Sequence, residues 1–308
     1  MKNSKLVLAA STALCLTASQ ALAQEEPEEG TTEEGTTEGG DGEGGDMAAT
    51  TNETPQPTAE GDGATAKAPP MILPKGGIKV DVSFNVNLSK ELVAKPINIT
   101  PDVWYGVAPK LEVGLAHSSY GLTGFWGTDA LGGGVCVTGE ENGCAKFYNG
   151  PVGVLAHYAL VEGDLTVAAD GGLVIGSLDP FELSLKAGVR GVKAMDKLMI
   201  GFAPFIAVGL TERDAGNKEY LGVPVDVNYM VNEKLGVGVQ TGIHGPLDGF
   251  GDSFFVPVSL AAMYGVNENI TAGAAFTLLR VTGGTPDGVD GPGAADFRGL
   301  SVFASWHK

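Results

Sequence analysis

The chain has 308 residues, a formal net charge of −18 and only 19 basic residues. That balance leaves no basic stripe to neutralise phosphates and excludes nucleic acid as a partner. Three cysteines are too few for a disulfide-built scaffold.

Lys2 and Lys5 precede an apolar run from Leu6 to Ala18, and Ala21-Leu22-Ala23 forms a small-x-small cleavage site. These features predict a secretory signal over residues 1–23, with a mature chain starting at Gln24. Cys15 lies inside that signal and follows Leu14, which argues against a lipoprotein. Residues 24–70 are Glu, Gly, Thr and Pro with almost no aliphatic side chains. They hold 13 of the 37 acidic residues, opposed only by Lys67. Such a segment buries too little surface to offset its ordering entropy and is expected to be disordered. The net charge is therefore largely a property of this tail.

The material changes at residue 71. Residues 78–88 read Ile-Lys-Val-Asp-Val-Ser-Phe-Asn-Val-Asn-Leu, apolar at every even position and polar at every odd one. A two-residue period is that of a strand with one apolar and one wet face. It recurs in twelve predicted strands: 78–88, 97–107, 109–117, 150–161, 164–175, 181–190, 197–210, 220–230, 234–244, 253–264, 269–280 and 297–307. Most run about ten residues, the length a tilted strand needs to cross a bilayer. No later stretch reaches the ~20 apolar residues of a membrane helix. A membrane chain without helices must close its sheet, because lipid cannot satisfy a free strand edge. One face carries residues such as Leu198, Ile200 and Phe202. The other is small or polar, as in Gly236, Gly238, Gln240, Gly242 and His244. The predicted fold is an all-β, antiparallel, up-and-down transmembrane β-barrel over residues 71–308.

Joins after even-numbered strands are short, and the others include 118–149, 211–219, 245–252 and 281–296. Short periplasmic turns and longer external loops belong to outer-membrane barrels. Val231-Asn-Glu and Val266-Asn-Glu follow two related descending strands, an internal repeat with Asn supplying the turn. Tyr105, Tyr158, Tyr229 and Tyr264 each precede a short turn, and Trp306 holds the same place at the terminus. All five fall on the apolar parity, as an interfacial aromatic girdle requires. The expected location is a bacterial outer membrane, with its lipids as partners and the N-terminal tail in the periplasm.

The last strand, Phe297 to Trp306, resembles the terminal strand of bacterial outer-membrane proteins, with alternating apolar residues and a closing aromatic. It departs from that pattern by adding His307 and Lys308. Val103 to Leu115 also resembles a hairpin common in such barrels. The resemblance implies the architecture and recognition by barrel-assembly machinery. It names no substrate family.

The inward parity is expected to carry Lys79, Asp81, Asp102, Glu112, His157, Asp170, Glu182, Lys186, Arg190, Asp226, His244 and Arg298. Such charges either select a small polar solute or form a salt-bridged interior that conducts nothing. Cys136 and Cys144 lie in a Gly-rich join, and in an oxidising envelope the expectation is a disulfide. His117-Ser118-Ser119-Tyr120-Gly121 resembles the His-x-Ser pair of outer-membrane phospholipase A and lipid A deacylases. That resemblance implies a lipid-facing His base and Ser nucleophile at His117 and Ser119. No acidic partner for the His stands out, so catalysis is not expected. Asp287-Gly-Val-Asp290 and Asp248-Gly-Phe-Gly-Asp252 match no calcium-loop spacing and read as turns. Gly132-Gly-Gly134 follows no strand-to-helix pattern, and no cofactor or metal motif is present. Three functions follow in order: a narrow diffusion channel for small polar solutes, a structural or adhesive barrel with a disulfide-closed external loop that binds a surface ligand, and a lipid esterase.

Overall fold

The computed structural model describes residues 71–89, 96–131, 133–139, 142, 147–285, 291–294 and 296–308. The signal sequence, the acidic segment, Cys144, Gly132 and the turn at Asp287–Asp290 lie outside these residues.

The described residues form one antiparallel sheet closed on itself. Its strands are β1 (Ile78–Asn87), β2 (Ile97–Ala108), β3 (Leu111–Ala116), β4 (Gly134–Cys136), β5 (Tyr148–Asn149), β6 (Val152–Val161), β7 (Leu165–Leu178), β8 (Phe181–Met195), β9 (Leu198–Phe202), β10 (Phe205–Gly209), β11 (Glu219–Met230), β12 (Leu235–Pro246), β13 (Phe255–Gly265), β14 (Ile270–Gly283) and β15 (Arg298–His307). β1 pairs with β2 on one side and β15 on the other, so no wall edge is left free. β4 and β5 form a small flap on β2. β9 and β10 are one wall strand, both lying between β8 and β11. The wall therefore has twelve strands.

The single strand predicted over 197–210 is interrupted at Ala203-Pro204 because Pro204 has no N–H for the ladder. β7 and β8 run on to Leu178 and start at Phe181, standing taller than the sequence pattern indicates. β3 is shorter than predicted and ends at Ala116.

Burial is inverted relative to a water-soluble protein. Val82, Phe84, Val113, Leu115, Val154, Leu173, Val237, Val239, Leu260 and Val302 are exposed, while Asn85, Asn98, Thr100, Asp102, Glu112, Asp170, Lys186, Gln240, Ser259 and Thr277 are buried. An apolar belt on every side of a closed wall is far larger than the patches a soluble monomer tolerates, and it fits lipid. Tyr105, Tyr158, Tyr229, Tyr264 and Trp306 are exposed on this outer face.

The repeated turns have the same construction. Asn232 Oδ1 accepts from the Lys234 and Leu235 amides at 2.9 Å each. Asn267 Oδ1 accepts from the Asn269 and Ile270 amides at 2.9 Å each. A side-chain oxygen that satisfies two turn amides is why Asn recurs there.

Candidate functional site: the lumen

The lumen begins with the inward parity of the strands. On β1, Lys79 lies 3.2 Å from Asp81, and its ammonium sits 5.7 Å from the Trp104 ring centroid. On β3, β6, β7 and β8, five ionisable side chains meet. Glu112 is 2.7 Å from His157 Nδ1, and His157 Nε2 is 3.4 Å from Asp170 Oδ1. Asp170 Oδ2 accepts from Lys186 at 2.7 Å and Arg190 at 2.9 Å. Trp104 stacks on His157 at 4.3 Å. Register explains the meeting: Glu112, His157 and Asp170 are direct cross-strand partners. Two carboxylates thus face two cations and an imidazole, and the pairing makes their burial tolerable.

The segment before β1 also enters the barrel at the end that carries the short turns. Leu73 is 3% exposed and packs with Trp104, Ala116, Leu122 and Leu155. Its amide donates to Glu112 Oε2 at 2.9 Å.

The largest departure from the sequence pattern is the join after β3. Residues 117–131 fold into the lumen instead of standing outside it. Asp102 on β2 starts the inward turn: its Oδ1 accepts from the His117 and Ser118 amides at 2.7 and 2.8 Å. Ser118 Oγ donates to Asp102 Oδ2 and accepts from the Gly121 amide at 2.9 Å, capping the short helix α1 (Ser119–Thr123). The chain then crosses to the far wall. Gln240 accepts from the Trp126 amide at 2.6 Å and donates to Gly124 O at 2.9 Å. Thr277 Oγ1 donates to Trp126 O at 3.3 Å. A 3-10 turn at Thr128–Leu131 brings the segment back, and Asn98 Nδ2 donates to Asp129 O at 2.8 Å.

Small wall residues make this possible. A Cβ at Gly299 would overlap Ala130, and one at Gly238 would press on Trp126. The polar, glycine-rich inner face is thus partly a seat for the segment. Asp129 closes it internally, accepting from the Ser119 amide and Ser119 Oγ at 2.8 Å each. Burial pushes the Asp129 carboxyl up to about 7, against those two hydrogen bonds, which favour its charged form.

This placement corrects two expectations. Ser119 is buried in the lumen with its hydroxyl donating to Asp129 and 3.1 Å from Phe125 O, while His117 Nδ1 lies 2.6 Å from Pro101 O. The pair does not face lipid, and the implied esterase dyad is not formed. Residues 119–131 also face inward, so the external adhesive loop is not supported. Cys136 ends β4; its expected partner, Cys144, lies outside the described residues.

Tyr120, on this short in-folded helix, keeps 49% of its surface accessible and so borders open space beside the segment. Lys79 and Asp81 from β1, Arg190 from β8 and Asp226 from β11 lie within electrostatic range of its hydroxyl. His244 bonds Tyr220 and joins an aromatic group with Phe125 at 4.7 Å and Phe255 at 5.4 Å. Arg280 covers Phe255 at 5.2 Å. Glu182 stands near the start of β8 against Gly176. Arg298 sits at the rim, its Nε donating to Leu88 O at 2.8 Å. It alternates with Gly299 and Ser301, so it belongs to the rim rather than to the lumen face.

Strand alternation could not reveal Tyr120, Trp126, Asp129, Gln240 or Arg280 as a group. A signal was present in Leu122-Thr-Gly-Phe-Trp126, an apolar stretch within a nominally external loop.

No family model and no curated protein matches the chain. Solved structures do. The NanC porin is 13% identical over 74% of this chain and 99% of that one, with a TM-score of 0.49. The KdgM porin in complex with disordered oligogalacturonate is 8% identical over 74% and 98%, with a TM-score of 0.47. Omp33, an outer-membrane protein of Acinetobacter baumannii, is 14% identical over 76% and 99%, with a TM-score of 0.41. At this level the likeness is one of barrel architecture: the chain resembles bacterial outer-membrane β-barrel proteins and carries no mark of a particular substrate family.

Proposed function

We propose that the chain is a narrow outer-membrane channel for passive diffusion of small polar solutes, its bore reduced by the in-folded segment 117–131. The observation that carries this is Tyr120. It sits on the in-folded segment, has charged side chains of β1, β8 and β11 within electrostatic range, and exposes half its surface. A dry plug would leave no such surface. Ionic and hydrogen-bonding groups along the remaining space replace part of a solute's hydration, as conduction requires. The small bore of a twelve-stranded wall restricts passage to small solutes. In this reading the short turns and the tail lie on the periplasmic side.

Reconstitution of the purified full-length chain into a planar bilayer tests the proposal. Small, discrete conductance steps are expected. Complete absence of conductance, in wild type and in Tyr120→Ala alike, would remove the channel reading.

A further inference from the structure

We infer that Asp226 sets the charge preference of the passage beside Tyr120, favouring small cations over anions; this rests on the channel reading above. The charges facing Tyr120 are not equivalent. Lys79 is matched by Asp81 at 3.2 Å. Arg190 is matched by Asp170 at 2.9 Å, inside the cluster with Lys186, His157 and Glu112. Asp226 has no ion-pair partner within 4.0 Å among the described residues. What it receives is a neutral donor, Asn228 Nδ2, at 2.6 Å. A neutral amide fixes the carboxylate without cancelling its charge.

The wall is shaped to hold Asp226 in this position. Gly201 is its register partner on β9, and a Cβ there would overlap the carboxylate. Asn228 is buried, so the pair is fixed against the wall. Two further lumen carboxylates, Asp102 and Asp129, are buried and occupied in holding residues 117–119. They add negative potential without offering an open face. Among the described residues, Asp226 is thus the half-buried carboxylate in range of Tyr120 that has no ion-pair partner. In a bore with low-dielectric walls such a charge attracts cations and repels anions at short range.

The test is the reversal potential of the full-length protein in a bilayer under a KCl gradient, at about pH 8, where a carboxylate is ionised. The wild type is expected to pass K⁺ in preference to Cl⁻. Asp226→Asn should lower the K⁺-to-Cl⁻ permeability ratio by about threefold or more, and Asp226→Lys should invert it. Tyr120→Ala should raise conductance while leaving the wild-type sign of selectivity. Heat-modifiable migration on a denaturing gel confirms that each variant folds. Conductance with an unchanged ratio in Asp226→Asn overturns this inference and leaves the channel reading standing. Absence of all conductance overturns both.

Discussion

Eleven residue pairs in unbroken register join β11 to β12, alternating between hydrogen-bonded and non-hydrogen-bonded pairs of one ladder. Residues 117–131 are held by side chains spread across the chain, Asp102, Gln240, Thr277 and Asn98, with Asp129 bonding back to Ser119 within the segment. The wall is thus stabilised by a local rule applied many times, and the segment by a few specific contacts of long sequence separation. Redundancy makes the wall tolerant of single changes outside its ionic cluster. The segment has no such reserve, and its release would leave the wall intact.

The comparison breaks most sharply at the one place where the wall relies on side chains. Asp170→Leu strands Lys186, Arg190 and His157, and it should destabilise the barrel by about 3–5 kcal/mol, as loss of one member of a buried ionic group does. The readout is the temperature at which the folded gel band is lost, which should fall clearly.

Next comes the segment. Asp102→Ala removes bonds to His117, Ser118 and the cap hydroxyl. It should weaken docking by about 2–4 kcal/mol. Added protease should then cut between residues 117 and 131 while the gel temperature stays near wild type. A joint collapse of both readouts would show that wall and segment are not separable.

A pH series gives a smaller effect of defined sign. The Asp129 carboxyl is held up at about 7 in the docked segment, against about 3.9 when released into water. Between those values the docked form binds more protons. Docking is therefore strongest below about pH 4 and weakens as pH rises to about 7, then levels off. Protease cleavage should increase over that interval in wild type and stay flat in Asp129→Asn.

The smallest effect belongs to the repeated turns. Asn232→Ala loses two bonds to backbone amides and should cost about 1 kcal/mol, visible as a slight fall in gel temperature.

The two regions also differ in how much the sequence discloses. Strand alternation is a local property: it predicts Lys79, Asp81, Glu112, His157, Asp170 and Asp226 on the inner face, and Glu112, His157 and Asp170 are buried. Asn232 and Asn267 announced their turns for the same reason. Pro204 is the exception on the wall: its missing donor was readable, but the apolar alternation around it masked the break. The path of residues 117–131 was not readable, because it depends on which distant side chains it meets. Gly238 belongs to the small inner face that alternation predicts, but its lack of a Cβ makes room for Trp126, as that of Gly299 does for Ala130. His117 and Ser119 imply a catalytic pair only through a resemblance in a short motif. Asp129, ten residues on, claims the serine.

Single-channel recording of wild type beside Tyr120→Ala tests the central claim most directly, because Tyr120 is the side chain that borders the remaining space. Small steps in wild type and larger steps in the variant, with the folded gel band unchanged, are the predicted result. Silence in both proteins, or equal steps in both, would contradict a passage that runs beside this residue.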